Sequence, residues 1–170
     1  MDMFNEYKEL YYKEIELTVR LENRISYCLT FLTIIGAGLV LLITELSTIK
    51  CGILNVLYIC LFIFLVILFF ISSYFFYKTF FNHGYKYFSI EKMVETIDET
   101  INVTKDKENG TEIANKHIED IFISKFKEDS IINRNLNIRR SEFYAKFITS
   151  ISITFIFIVA TFVYWAILIN

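Results

Sequence analysis

The sequence of 170 residues contains no proline, five glycines, one tryptophan and two histidines. Without proline, no ring clash kinks or ends a helix, and with so few glycines little else interrupts one. Three cysteines and two histidines show no metal-ligand spacing, so no metal site is expected. No nucleophile stands beside an acid–base pair, so neither an enzyme nor a cofactor is expected, and His83 and His117 read as solvated side chains. Basic charge is not in excess either: 17 Lys and Arg stand against 19 Asp and Glu, a formal net charge of −2. A polyanion-binding surface needs a sustained basic excess, which argues against a nucleic-acid partner.

What is abundant is apolar: 55% of residues are hydrophobic and 18% aromatic. They gather into runs. Arg24 and Glu45 bracket 20 uncharged residues, Lys50 and Lys78 bracket 27, and 24 more follow Lys146. At a rise of about 1.5 Å per residue, about 20 apolar residues cross a hydrocarbon core of about 30 Å. The expected fold is an all-α integral membrane protein with three transmembrane helices and a cytosolic helical hairpin between the second and third. The segments are an amphipathic cytosolic helix over 1–24, spans over 25–45, 52–77 and 147–169, and the hairpin over 78–146. The first run has no small-residue cleavage site and too long a core for a secretory signal. Lysine and arginine resist translocation, and 16 of the 17 fall on the side shared by the N-terminus and the loop after the second span. That predicts a cytoplasmic N-terminus and an extracytoplasmic C-terminus.

Along the chain, Glu9 precedes Lys13 and Glu16 precedes Arg20 by four, which supports a helix. Tyr7, Tyr11, Ile15, Leu21 and Ile25 give it an apolar side, and nothing breaks it before the first span. In the insert, Ser89 is a natural N-cap, and Ile90, Val94, Ile97 and Ile101 share a face. "NVTKDKENGT" reads as a polar loop; its matches to glycosylation acceptors at Asn102 and Asn109 fall on the cytosolic side. From about Glu112 one long helix is expected to continue through the third span, with Ala114, Ile118, Phe122, Phe126, Ile132, Leu136, Phe143 and Phe147 on its apolar side. Residues 93–130 carry five bases and ten acids, whereas the flanks 78–92 and 131–146 carry seven bases and two acids. Lys78, Lys86, Arg134, Arg139, Arg140 and Lys146 therefore read as an inner lip against anionic inner-leaflet lipids, where each base contributes on the order of 1 kcal/mol.

Within the spans no ionisable residue lies at mid-membrane, which argues against an ion carrier. Cys28 and Cys60 read as small apolar residues, and Cys51, at the outer turn, as a free thiol. A pattern of small and hydroxyl residues remains. Ser26, Thr30, Thr33, Ala37 and Thr44 share one side of the first span, and Gly36 and Gly38 suit close packing. Asn55 aligns with Ser73 on the second span, and Ser150, Thr154 and Thr161 align on the third. Such residues pack helices closely. They also suit a pore lining, and both hold if the packing is between subunits of a homo-oligomer.

"YKELYYKEIELTVRLENRISYCLTFLTIIGAGLVLL" and "NRNLNIRRSEFYAKF" resemble the helix entering, and the basic helix re-entering, the membrane in small bacterial anti-phage membrane effectors of the SLATT-like group. The resemblance is one of arrangement over most of the chain, and a third span departs from that group's two-helix pattern. It implies an oligomeric effector of the bacterial inner membrane, silent until an upstream sensor protein or nucleotide signal acts, which then depolarises the membrane. The alternative is a non-conducting adaptor that recruits a soluble partner through the acidic tip of the hairpin.

Overall fold

A computed structural model describes residues 3–46, 53–81, 83–87, 89–105 and 109–169, with side chains for all of these except 45–46, 53–55, 90–91 and 168–169. Every regular element among them is an α-helix: α1 (Met3–Glu22), α2 (Ile25–Leu46), α3 (Ile53–Phe80), α4 (Ile90–Thr104) and α5 (Gly110–Ile169). Three segments, within the first two helices, α3 and α5, are long and apolar enough to cross a membrane. Lys50 and Cys51, which the sequence reading places at an outer turn, and the side chain of Asn55 lie outside the described residues.

The chain forms two compact units: Met1–Arg20 with His83–Ile138, and Leu21–Asn82 with Arg139–Asn170. The first holds eleven bases and sixteen acids and the second six bases and three acids, so charge separates with the units. Helix α5 contributes residues to both.

In the first unit, α1, α4 and the N-terminal part of α5 share a small aromatic core. Tyr11, Phe122 and Phe126 are buried, with Phe4, Tyr7, Ile15, Met93, Ile97 and Ile118 packed around them. The rings of Phe4 and Phe126 meet edge to face at 5.9 Å, and Tyr11 lies 5.5 Å from Phe126. Ser89 caps α4 by accepting from the Lys92 amide at 3.5 Å. Two expectations need correction here. Helix α4 continues through Asn102, Val103 and Thr104, where a loop was expected, because Thr100 and Thr104 bond back to their own helix carbonyls. Its packed side carries Met93, Ile97, Thr100 and Thr104, while Val94 and Ile101 are about half exposed.

In the second unit, α2, α3 and the C-terminal part of α5 pack along faces with heptad-like spacing. Cys28, Leu32, Ile35, Leu39 and Leu42 are buried on α2, Tyr58, Leu65 and Phe76 on α3, and Phe147, Ile151 and Ile158 on α5. The outward faces carry Phe31, Ile34, Ile63, Phe70, Ile156 and Ile167, all at least 53% exposed. An exterior this apolar needs a lipid solvent, since soluble monomers rarely expose large contiguous apolar patches. Between α1 and α2 the helix was expected to continue. Asn23 and Arg24 instead form a short turn, closed by the Arg24 amide donating to the Leu21 carbonyl at 3.1 Å.

The turn into α5 depends on its first two residues. Asn109 sits in the left-handed region at φ 61°, and its carbonyl accepts from the Glu112 and Ile113 amides. A Cβ on Gly110 would collide with the Thr104 carbonyl oxygen. Alanine normally stabilises a helix relative to glycine, by about 1 kcal/mol; here the sign should reverse. Gly110→Ala is expected to cost more than about 1 kcal/mol, read as a lower thermal midpoint of the detergent-solubilised chain. An unchanged or raised midpoint would show that the turn opens without cost.

Candidate functional site

The face that α5 buries is polar for much of its length. Ser130, Asn133, Asn137, Arg140, Tyr144, Phe147, Ile151, Thr154, Ile158 and Thr161 follow one another at alternating spacings of three and four, a heptad seam. All are buried except Tyr144, which is partly buried. The sequence pattern placed Ile132, Leu136 and Phe143 on the buried side; they flank the seam and are only partly buried. Apolar periodicity misjudged the face because polar residues occupy its centre.

In the first unit, Asn137 saturates its amide. Its Nδ2 donates to the Glu14 carbonyl at 2.8 Å and to Glu14 Oε2 at 2.9 Å. Its Oδ1 accepts from the Tyr85 hydroxyl at 2.8 Å and lies 3.1 Å from the Thr18 hydroxyl, which also reaches the Glu14 carbonyl at 3.0 Å. An amide group offers two donors and two acceptor sites, and this one engages all four, sharing the single Thr18 proton with the Glu14 carbonyl. One turn earlier, Asn133 Oδ1 accepts from the Lys86 amide at 3.0 Å and its Nδ2 donates to the Lys86 carbonyl at 2.9 Å. The two asparagines thereby fix α1 and the non-helical segment 83–87 onto α5.

In the second unit, Arg140 is 1% exposed. This corrects its place in the basic lip: it shares the buried seam with Phe147, so its charge lies inside the unit. Its Nε donates to the Thr79 carbonyl at 2.8 Å, and Nη1 lies 3.8 Å from Glu22 Oε1. Thr79 is among the last four residues of α3, whose carbonyls lack a partner within their own helix and carry the negative end of its dipole. A buried guanidinium is well suited to them. The other lip residues, Lys78, Lys86, Arg134, Arg139 and Lys146, are exposed. Lys78 lies over Tyr74 at 5.9 Å and Lys146 over Phe143 at 5.5 Å, with Arg24 over Tyr144 at 5.3 Å. Lys86 and Arg134 belong to the first unit and Lys78, Arg139 and Lys146 to the second.

The hydroxyl residues of the spans divide into two sets. Ser150 and Thr154 are buried against α3, where Ser72 Oγ lies 2.7 Å from Ser150 Oγ and 3.4 Å from Thr154 Oγ1. Thr161 is buried and donates to the Phe157 carbonyl at 2.8 Å. Ser72 was not singled out in the sequence. Its neighbour Ser73 was, and Ser73 bonds the Phe69 carbonyl instead. Ser26, Thr30, Thr33 and Thr44 on α2 are all exposed. Thr30, Thr33 and Thr44 each donate to a carbonyl of their own helix, at 2.8, 2.9 and 2.8 Å. Gly36 sits at ordinary distance from Phe69, whereas a Cβ on Gly38 would lie 2.7 Å from Ile158 Cδ1, so Gly38 lets α2 approach α5 closely. Cys28 is buried and Cys60 exposed, both free thiols. Among the described residues no group of His, Cys, Asp and Glu could hold a metal.

No protein-family model, curated protein or solved structure matches the chain.

The adjacent arginines separate two roles that the sequence merged. Arg140→Gln removes the buried cap of α3 and should cost about 2–4 kcal/mol, while exposed Arg139→Gln should stay within about 0.5 kcal/mol. Thermal midpoints of the two variants in the same detergent measure this. Equal midpoints would mean that Arg140 is dispensable to packing.

Proposed function

We propose that this chain is an oligomeric membrane effector of a bacterial defence system that depolarises the inner membrane when its cytosolic helices receive a signal. The observation that carries the reading is the exposed hydroxyl stripe of α2. Ser26, Thr30, Thr33, Ala37 and Thr44 are exposed, on the side of α2 away from its buried residues, although hydroxyl and small residues in spans commonly mark helix contacts. Copies of α2 brought together around an axis would line it with hydroxyls. The arrangement resembles that of SLATT-like effectors, which supports the defence role. Helix α5 is one helix through both units, so a signal received in the first has a covalent route to the third span.

The basic excess of the spanning unit and the aromatic seats of Lys78, Arg24 and Lys146 support an orientation with both lips of the charged insert against anionic inner-leaflet lipids. The N-terminus is then cytoplasmic and the C-terminus extracytoplasmic. A second reading has its own observation. Glu95, Asp98, Glu99, Glu112, Glu119, Asp120 and Glu128 are all exposed in the first unit. An adaptor without conductance would use that acidic surface to recruit a soluble basic partner.

The α2 threonines allow a direct test, because each donates to a carbonyl of its own helix and Thr→Val keeps the shape. The triple variant Thr30→Val, Thr33→Val, Thr44→Val should fold and insert as the parent does. Bacteria expressing the parent should lose membrane potential, followed by dye fluorescence, within minutes of phage challenge, and those expressing the triple variant should hold it. A parent that resides in the membrane yet leaves the potential steady would remove the depolarising reading in favour of the adaptor.

A further inference from the structure

A cleft of about 560 Å³ opens in the first unit, between the start of α4, the segment 83–87 and one side of α5. That volume lies within the range of about 300–1,000 Å³ typical of small-molecule sites. Tyr85, Lys86, Tyr87, Lys92, Lys125 and Asp129 are among its lining residues. Asp129 is 1% exposed, and neither carboxylate oxygen accepts a hydrogen bond. Lys125 Nζ forms an ion pair with Oδ1 at 3.1 Å, outside hydrogen-bond geometry, and leaves Oδ2 with no hydrogen-bond partner. A buried carboxylate left this way requires a reason, because most such groups are satisfied. Its neighbours Asn133 and Asn137, by contrast, make every hydrogen bond described above for them, and those bonds hold the wall of the cleft in place.

The lining limits what could complete Asp129. Three lysines disfavour a metal ion, an ammonium or a guanidinium, although each would pair with a lone carboxylate. Asp129 disfavours a bare anion deep in the cleft, although each lysine would accept one. The complement is a ligand with an anionic end and, at its other end, a neutral edge with two parallel N–H donors. A carboxylate takes such an edge with both oxygens. Guanine has this edge in its N1–H and N2–H, and its flat faces suit tyrosine rings. Its phosphates would meet Lys92, Lys86 and the N-terminal turn of α4, where the helix dipole favours anions.

From this chemistry we infer that the cleft is a guanine-nucleotide site, in which Asp129 reads the base and Lys86 and Lys92 hold the phosphates. The inference does not depend on whether the spans conduct. Adenine presents a single donor and an acceptor on the same edge, so Asp129 rejects it.

The test uses the full chain in detergent micelles, titrated with GTP, ATP and XTP and followed by calorimetry. GTP should saturate one site per chain, with ATP weaker by roughly 10-fold or more. In xanthine the N2 donor of guanine is replaced by a carbonyl acceptor. Asp129→Asn supplies the matching donor, so it should weaken GTP by roughly 10- to 100-fold and strengthen XTP. Lys92→Ala should weaken both nucleotides by a similar factor and leave the base preference of each protein intact. Retained thermal midpoints show that these variants fold. Absence of saturable GTP binding by the parent overturns the assignment. So does equal binding of ATP, equal competition by inorganic phosphate or short-chain phosphatidylglycerol, or unchanged GTP affinity in a folded Asp129→Asn protein.

Discussion

A polar side chain inside a packed helical unit is tolerated only when its donors and acceptors find partners, and the buried seam of α5 is organised by that requirement. Asn137 meets it with four contacts, to Glu14, Thr18 and Tyr85. Asn133 meets it by pairing with both backbone groups of Lys86. A seam of leucines at these positions would allow α1 to slide by a turn with little change in energy. An amide with assigned partners permits one register, as a polar residue at a core position does in a coiled coil. Arg140 acts on the same principle in the other unit, capping the carbonyl end of α3 through Thr79.

In the spanning unit the hydrophobic effect does not distinguish inside from outside, because lipid is as apolar as leucine. The interior is accordingly where Ser72, Ser150, Thr154 and Thr161 sit, and the exterior is where Phe31, Phe70 and Ile156 sit. Gly38 serves the same contact by removing the side chain that would meet Ile158. The α2 hydroxyls lie on the other side of their helix. Because Thr30 and Thr33 each return their proton to their own backbone, they can face lipid, water or a second copy with that bond intact. Among the described residues the Asp129 carboxylate, in the other unit, and Trp165 Nε1 depart from this economy of partners, each buried without a hydrogen bond.

The three spans were legible in the sequence, since uncharged runs of 20 or more residues have one common solution in a hydrocarbon core. So was the continuity of α5, because nothing between Gly110 and Ile169 stops a helix. The helical character of α1 was also legible, through its paired charges and the apolar side of Tyr7, Tyr11 and Ile15. The turn at Asn23 and Arg24 was not, as neither residue is a strong breaker and the helices on both sides have ordinary helical composition. The extension of α4 over Asn102–Thr104 was also missed, because polar composition resembles a loop until its threonines are seen bonding back to the helix.

What the sequence determined by itself is the set of helices and the solvent each requires, because run length, charge and the lack of breakers act locally along the chain. Which face each helix turns inward was decided only by tertiary structure. Asn133, Asn137 and Arg140 carry the composition of a surface, and in the core they are stable only because Lys86, Glu14, Thr18, Tyr85 and Thr79 come from distant parts of the chain to meet them. Complementary partners separated by 47 to 123 residues leave no periodic trace in the sequence.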